Sequence, residues 1–140
     1  MPRRGLSLLR DPSENMTSVT VLVVDDDPGI RESLGDLLRA EGYGVCVAEN
    51  GADALEVMRT EPRPDVVVLD LMMPVMSGWE VLEEVDADTS LRLMPIVVAS
   101  AMSAPVASPG RRGGVRMSLP KPLDIDLLLS ALASLAAPAS

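Results

Sequence analysis

Short apolar runs rich in β-branched residues recur along the chain, and a helix-like pattern follows most of them. Two of the runs read VTVLVV (residues 19–24) and PIVVA (residues 95–99). Strands with such continuous apolar sequence are buried on both faces, as in parallel sheets covered by helices. Parallel strands also need long crossover connections. The alternation therefore predicts an α/β domain with helices on both faces of one parallel sheet.

The sequence divides into one domain with a tail at each end. Predicted strands cover residues 19–24, 45–48, 66–69, 95–99 and 115–119, and predicted helices cover about 28–41, 51–58, 78–85 and 124–136. Residues 102–114 stand where a further helix is expected, but Pro109 and three glycines disfavour a regular one. We expect a short or irregular segment there, a domain at 19–137, and loose tails at 1–18 and 138–140.

Composition excludes several classes of function. The formal net charge is −9 with no long basic tract, which argues against direct binding of nucleic acid. No apolar run approaches the roughly 18 residues that a membrane helix needs. The single cysteine, Cys46, excludes an internal disulfide and favours a reducing compartment, so we expect the cytoplasm. Histidine is absent, so any chemistry must use carboxylates, hydroxyls or an amine.

Polar residues follow the predicted strands at the points where the strands end. Asp25 and Asp26 end the first strand, Asp70 the third and Ser100 the fourth, and Lys121 follows the fifth. Because the carboxyl ends of parallel strands meet at one edge, we expect these side chains to share one crevice. Lys121 is the only lysine beside eleven arginines, so its place in this group favours a functional role over chance.

These residue types suit phosphoryl transfer assisted by a metal ion. Three neighbouring carboxylates repel one another and need a cation, and hard oxygen ligands suit Mg²⁺. A carboxylate can attack phosphorus and form an aspartyl-phosphate. The transferred group needs its oxygens neutralised, and Mg²⁺, Lys121 and Ser100 provide one partner for each. An Asp at a strand end is more often a helix cap, and we interpret Asp27, before Pro28, in that way.

The segments VLVVDDD, VVVLDLMMPVMSG, PIVVASA and LPKP, in this order, resemble the receiver domain of bacterial two-component response regulators. The resemblance covers roughly residues 19–137. Within the family, the chain is similar to the single-domain chemotaxis-type regulators. It implies a flavodoxin-like (βα)5 doubly wound sheet of five parallel strands in the order 2-1-3-4-5. It also implies a sensor histidine kinase or phosphotransfer protein as the donor.

The same resemblance assigns roles to individual residues. Asp70 would be the phospho-acceptor, and Asp26 would bind Mg²⁺ directly. Asp25 would act largely through water, and the backbone carbonyl of Met72 would complete the metal site. Ser100 would be the Ser/Thr switch residue. Lys121 would be the family's invariant amine, followed by a cis bond to Pro122.

The irregular stretch at residues 102–114 departs from the family on a face that often serves output, and two further features also concern output. Ser118 stands where an aromatic residue is common, three positions before Lys121, so the aromatic part of the usual switch is missing. The last helix has no charge after Asp126 and exposes Leu127 with a row of Ala and Ser. Such a face is either a weakly polar surface or a contact with a partner or a second copy.

Our main hypothesis is a stand-alone response regulator that is not an enzyme beyond its own phosphorylation and dephosphorylation. Its output would be contact with an unknown protein, or relay of the phosphoryl group, unless the chain is a fragment of a longer protein. A second hypothesis is a degenerate receiver that binds partners without phosphorylation. A third, a phosphatase acting on small substrates, is disfavoured because Met72 occupies the place of the second acid that such enzymes use.

Overall fold

A computed structural model describes residues 19–73, 75–100 and 115–135 of the 140-residue chain. These residues form five strands, β1 (Thr20–Val24), β2 (Gly44–Ala48), β3 (Val66–Asp70), β4 (Ile96–Ser100) and β5 (Val115–Pro120). They also form four helices, α1 (Pro28–Ala40), α2 (Gly51–Arg59), α3 (Gly78–Ala87) and α4 (Ile125–Leu135). The predicted irregular segment 102–114 and both predicted tails lie outside the described residues.

All strand pairs are parallel, and the order across the sheet is β2-β1-β3-β4-β5. The α/β class and the strand order predicted from the sequence are therefore confirmed. The order reverses direction between β1 and β3, and ligands of such sheets bind at the carboxyl ends of the strands beside that point.

Alternate residues of each strand point to opposite faces of the sheet, and each face carries its own apolar cluster. In β1, Val21 and Val23 pack with Leu34 and Leu38 of α1, in a cluster that also contains residues of α4. Leu22 and Val24 belong to the other cluster, which includes residues of α2 and α3. Helices thus cover both faces, as the continuous apolar strands predicted.

Side chains at the helix starts fix where the helices begin. Asp27 caps α1, and its Oδ1 accepts hydrogen bonds from the backbone N–H groups of Gly29 (2.8 Å) and Ile30 (3.3 Å). This confirms the interpretation of Asp27 as a cap. Asn50 caps α2 in the same way, accepting from the N–H of Asp53 at 2.8 Å.

Several helix boundaries differ from the predicted ones by one or two residues. Helix α3 continues to Ala87, two residues past the predicted end at Val85. Helix α4 starts at Ile125 rather than Asp124, because Oδ1 of Asp124 accepts a hydrogen bond from the N–H of Leu127 (3.2 Å). None of the helices in the described parts of the chain has the length and apolar content needed to cross a bilayer.

The loop after β3 folds back tightly onto the end of that strand. The N–H of Gly78, at the start of α3, donates to the carbonyl oxygen of Leu71 at 3.1 Å. A Cβ atom on Gly78 would overlap the carbonyl oxygen of Asp70 and would lie 2.7 Å from Cα of Leu71. Both neighbours are backbone atoms and cannot move aside cheaply, so glycine at 78 fixes the backbone around Asp70.

We predict that Gly78→Ala lowers the free energy of unfolding by roughly 1–3 kcal/mol, the usual cost of overpacking. Gly35→Ala in α1 is the matched control, because its Cβ would meet only side-chain atoms at 3.4 Å or more. Removing a glycine from a helix should raise stability there by up to about 1 kcal/mol. Urea denaturation measures both variants, and equal effects of the two would contradict this account of Gly78.

Candidate functional site

The carboxyl edge of the sheet brings together residues that are far apart in sequence. Asp25, Asp26 and Asp70 each place one carboxylate oxygen within 4.8 Å of the other two. Nζ of Lys121 lies 2.7 Å from Oδ2 of Asp25 and 3.3 Å from Oδ2 of Asp70. The backbone N–H of Lys121 donates to the carbonyl oxygen of Ser100 at 2.9 Å. The clustering expected at these four strand ends is therefore present.

The residues of the site differ in their exposure to solvent. Asp25, Asp70 and Ser100 are each 4% exposed, which is rare for carboxylates unless they are paired. Asp26 is exposed to solvent. Asp26 is thus the member of the acidic cluster that solvent reaches most readily.

Asp25 is held by contacts on each of its polar atoms. Its N–H donates to the carbonyl of Ala48 (3.2 Å), and its own carbonyl accepts from Nη1 of Arg31 (2.8 Å). Oδ1 of Asp25 accepts from the N–H of Asp27 at 2.9 Å, and Oδ2 accepts from Lys121. Asp25 is therefore a fixed part of the wall of the site.

Asp70 is held less completely. Its Oδ1 accepts a hydrogen bond from the backbone N–H of Met72 at 3.0 Å, and its Oδ2 faces Lys121. Burial raises the pKa of the Asp70 carboxyl, and the charge of Asp25 raises it further. The N–H of Met72 and the ammonium of Lys121 lower this pKa but do not cancel the effect of burial. The ionised form of Asp70 is thus disfavoured in this fold without a further cation.

Lys121 supplies a positive charge to the cluster. Burial lowers the pKa of Lys121, but its hydrogen bond to Asp25 and the charges of Asp25 and Asp70 outweigh burial and raise the pKa above its usual value. The ammonium is therefore retained at neutral pH. The peptide bond from Lys121 to Pro122 is cis, which confirms the expectation from the sequence.

The residues present fit a magnesium ion. The three clustered carboxylates offer only hard oxygen ligands, which Mg²⁺ prefers, and one ammonium does not balance three negative charges. The exposed Asp26 leaves room for the waters that Mg²⁺ usually keeps. The side chain of Met72 is 53% exposed, and the part of its backbone carbonyl in metal binding stays a prediction.

The loop between β3 and α3 also contains a conformation that β-branched residues rarely adopt. Val75 has a φ of 69° and is 86% exposed. Left-handed backbone costs an ordinary L-residue roughly 1–2 kcal/mol.

Sequence reasoning did not single out Arg31 or Gly78 as part of the site. Gly78 lies within the motif that resembles the receiver family, but its contact with the carbonyl of Asp70 depends on how the loop folds. Arg31 stands four residues after the cap Asp27, where an arginine gives no sequence signal of its own. Ser118, where an aromatic residue was expected by resemblance, is an exposed residue of β5.

With the fold and the acidic site described, comparison with known proteins identifies the family of signalling domains to which they belong. The response regulator receiver domain family matches residues 21–133, and the chain belongs to this family. Response regulator MprA of Mycobacterium ulcerans (strain Agy99) is 39% identical over 119 residues, which are 84% of this chain and 50% of that protein. The chain thus spans about half the length of the curated relatives it matches.

Solved structures of receivers are also similar. The receiver domain of the Francisella response regulator 1452 has a TM-score of 0.75 and 29% identity, with 85% of this chain and 97% of that chain covered. Thermotoga maritima TrrA, in complex with Mg²⁺–BeF, has a TM-score of 0.72 and 32% identity, with 84% and 98% covered. These matches confirm the receiver family predicted from the motifs.

We predict that Asp70→Asn stabilises the metal-free protein at neutral pH, because it removes a charge that the fold disfavours. The raised pKa means that the native state loses stability as pH rises from the unfolded pKa of Asp through the folded one. The gain in the variant should therefore be present at pH 7 and vanish below about pH 3.8. We expect Tm at pH 7 in EDTA to rise.

Asp36→Asn is the control for this prediction. It makes the same chemical change at an α1 carboxylate that is 83% exposed. Thermal unfolding followed by circular dichroism at several pH values should show a smaller change in Tm for Asp36→Asn than for Asp70→Asn at pH 7. A fall in Tm for Asp70→Asn at pH 7 would overturn our view of Asp70 as a destabilising charge.

Proposed function

We propose that Asp70 accepts a phosphoryl group from a phosphohistidine on a sensor histidine kinase or a phosphotransfer protein, in a reaction that depends on Mg²⁺. The observation that carries the proposal is the buried Asp70 carboxylate, which lies close to the Asp25 carboxylate and shares the ammonium of Lys121 with it. A buried carboxylate beside an ammonium and two other carboxylates is suited to attack phosphorus once a cation neutralises the cluster. Membership of the receiver family supports this role.

In the proposed step, an oxygen of Asp70 attacks phosphorus, an O–P bond forms, and the P–N bond to the donor imidazole breaks. The electron pair of that bond leaves with the imidazole nitrogen, which takes a proton from solvent. Met72 orients the carboxylate through its backbone N–H. Lys121 lies where its ammonium can neutralise one oxygen of the transferred group, and Ser100 ends the neighbouring strand with a hydroxyl for another.

Asp26, Asp70 and the backbone carbonyl of Met72 would hold Mg²⁺, with Asp25 acting largely through water. When bound, Mg²⁺ would neutralise charge on the phosphoryl oxygens and on the carboxylates themselves. The three clustered carboxylates support this assignment, as does the similarity to TrrA, whose structure holds Mg²⁺–BeF.

The output that we propose is contact with another protein, whose identity is unknown. Phosphorylation adds charge at the sheet edge and would draw the Ser100 hydroxyl toward it, shifting the population of surface conformations. Because Ser118 replaces the usual aromatic residue, the signal would take another route to the surface. The surface of α4 around Leu127, which is 53% exposed, remains a candidate for a homodimer or partner contact.

The cytoplasmic location and the absence of nucleic-acid and membrane partners stay part of this proposal. The boundaries of the receiver domain at residues 19–137 also stay a prediction. The complete set of carboxylates, Ser100 and Lys121 argues against the alternative, a degenerate receiver that acts without phosphorylation.

The test is intact-protein mass after incubation with acetyl phosphate, with and without Mg²⁺. We expect the wild type to gain one phosphoryl group only with Mg²⁺, because Asp70 needs a cation to bring an anionic donor close. Asp70→Asn should gain none. The exposed Asp36→Asn should behave like the wild type, which shows that the loss is specific to Asp70.

Equal phosphorylation of Asp70→Asn and the wild type would contradict the assignment of the acceptor. If neither protein is phosphorylated by acetyl phosphate or by a panel of purified histidine kinases, the degenerate receiver becomes the better account.

A further inference from the structure

Arg31 makes a contact with the metal-binding loop that the proposed mechanism does not use. Nη1 of Arg31 donates to the backbone carbonyl of Asp25 at 2.8 Å, across a partly buried turn. The backbone N–H of Arg31 donates to the carbonyl of Asp27 at 2.9 Å, as part of the first turn of α1. The side chain therefore reaches back over the start of its own helix to the end of β1.

The carbonyl that Arg31 contacts belongs to the peptide unit that joins Asp25 to Asp26. A peptide unit is planar, so fixing the direction of its C=O also fixes the direction of the N–H of Asp26. The remaining freedom of the Asp26 backbone is small, because Asp27 is held on the other side by its N–H bond to Oδ1 of Asp25. Arg31 thus helps to set the direction in which the Asp26 side chain leaves the chain.

Asp26 needs this support more than the other two carboxylates do. The Asp25 side chain is held by the N–H of Asp27 and by Lys121, and the Asp70 side chain by the N–H of Met72 and by Lys121. Among the described residues, none holds the Asp26 carboxylate by a hydrogen bond or an ion pair. Its position therefore depends on the backbone to which it is attached.

We propose that Arg31 is a positioning residue for the magnesium site, acting on Asp26 through the carbonyl of Asp25; this inference rests on the proposed function. Groups that orient metal ligands in this way usually change metal affinity by about 10–100-fold when removed.

The positive charge of Arg31 acts on Mg²⁺ affinity in the opposite direction to positioning. A guanidinium beside a cation site repels the cation, so its removal would strengthen Mg²⁺ binding if charge were all that mattered. A positioning role predicts weaker Mg²⁺ binding when the donor is lost, and recovery when another long cationic donor replaces it. The direction of the change in affinity therefore separates the two roles.

The experiment measures the Kd of Mg²⁺ by isothermal titration calorimetry for the wild type, Arg31→Met, Arg31→Lys and Arg39→Met. We expect Kd to rise about 10-fold in Arg31→Met and to recover largely in Arg31→Lys. Arg39→Met is the matched control: it removes the same charge from the same helix, roughly 12 Å further along. Within the described part of the chain, Arg39 forms its ion pair with the exposed Asp36. The Kd of Arg39→Met should not change.

The Mg²⁺ dependence of the phosphorylation rate separates a positioning role of Arg31 from a general loss of structure. Arg31→Met should need more Mg²⁺ than the wild type for half-maximal phosphorylation by acetyl phosphate, but should reach the same rate at saturating Mg²⁺. If Arg31→Met does not fold, Arg31→Lys and Arg31→Gln replace it, with the shorter glutamine expected to show the weaker Mg²⁺ binding.

Unchanged or tighter Mg²⁺ binding in Arg31→Met, beside a wild type that binds Mg²⁺ and is phosphorylated, would overturn this inference alone. A wild type that neither binds Mg²⁺ nor accepts a phosphoryl group would instead overturn the proposed function.

Discussion

Repulsion among three carboxylates at one edge of the sheet is the constraint on which the rest of the site depends. Asp25, Asp26 and Asp70 lie close together, and two of them are buried. One ammonium, from Lys121, offsets part of their charge, and the pKa of Asp70 still lies above its usual value because of burial. A site of this kind favours the arrival of cations. Among the three carboxylates, Asp70, which we propose as the acceptor, has its ionised form disfavoured by burial.

The fold tolerates the repulsion among these carboxylates because it places them at the ends of well-packed strands. Each strand packs apolar residues on both faces, so the backbone that carries the carboxylates is among the most tightly held parts of the molecule. The loops are fixed by close contacts: Gly78 packs against the carbonyl of Asp70, and Asp27 caps α1 while bonding to Asp25. Preorganisation of this kind is what phosphoryl transfer mainly requires of a protein.

Much of this arrangement could be predicted from the sequence, because the parallel sheet translates strand ends directly into positions in space. The apolar runs gave the fold class, and the polar residues after them gave the edge at which Asp70, Ser100 and Lys121 meet. Helix ends were less certain by one or two residues, since they depend on caps such as Asp124. The contact of Arg31 with the carbonyl of Asp25 could not be predicted, because it depends on a side-chain conformation rather than on a pattern.

The most direct test of the central claim is a crystal structure of the protein with Mg²⁺ and beryllofluoride, the combination held by TrrA. Our account predicts beryllium bonded to a carboxylate oxygen of Asp70. It also predicts Mg²⁺ bound by Asp26, Asp70 and the carbonyl of Met72, and the Lys121 ammonium in contact with a fluoride. A complex in which Mg²⁺ binds away from Asp26 and Asp70, or in which beryllofluoride bonds to another residue, would contradict it.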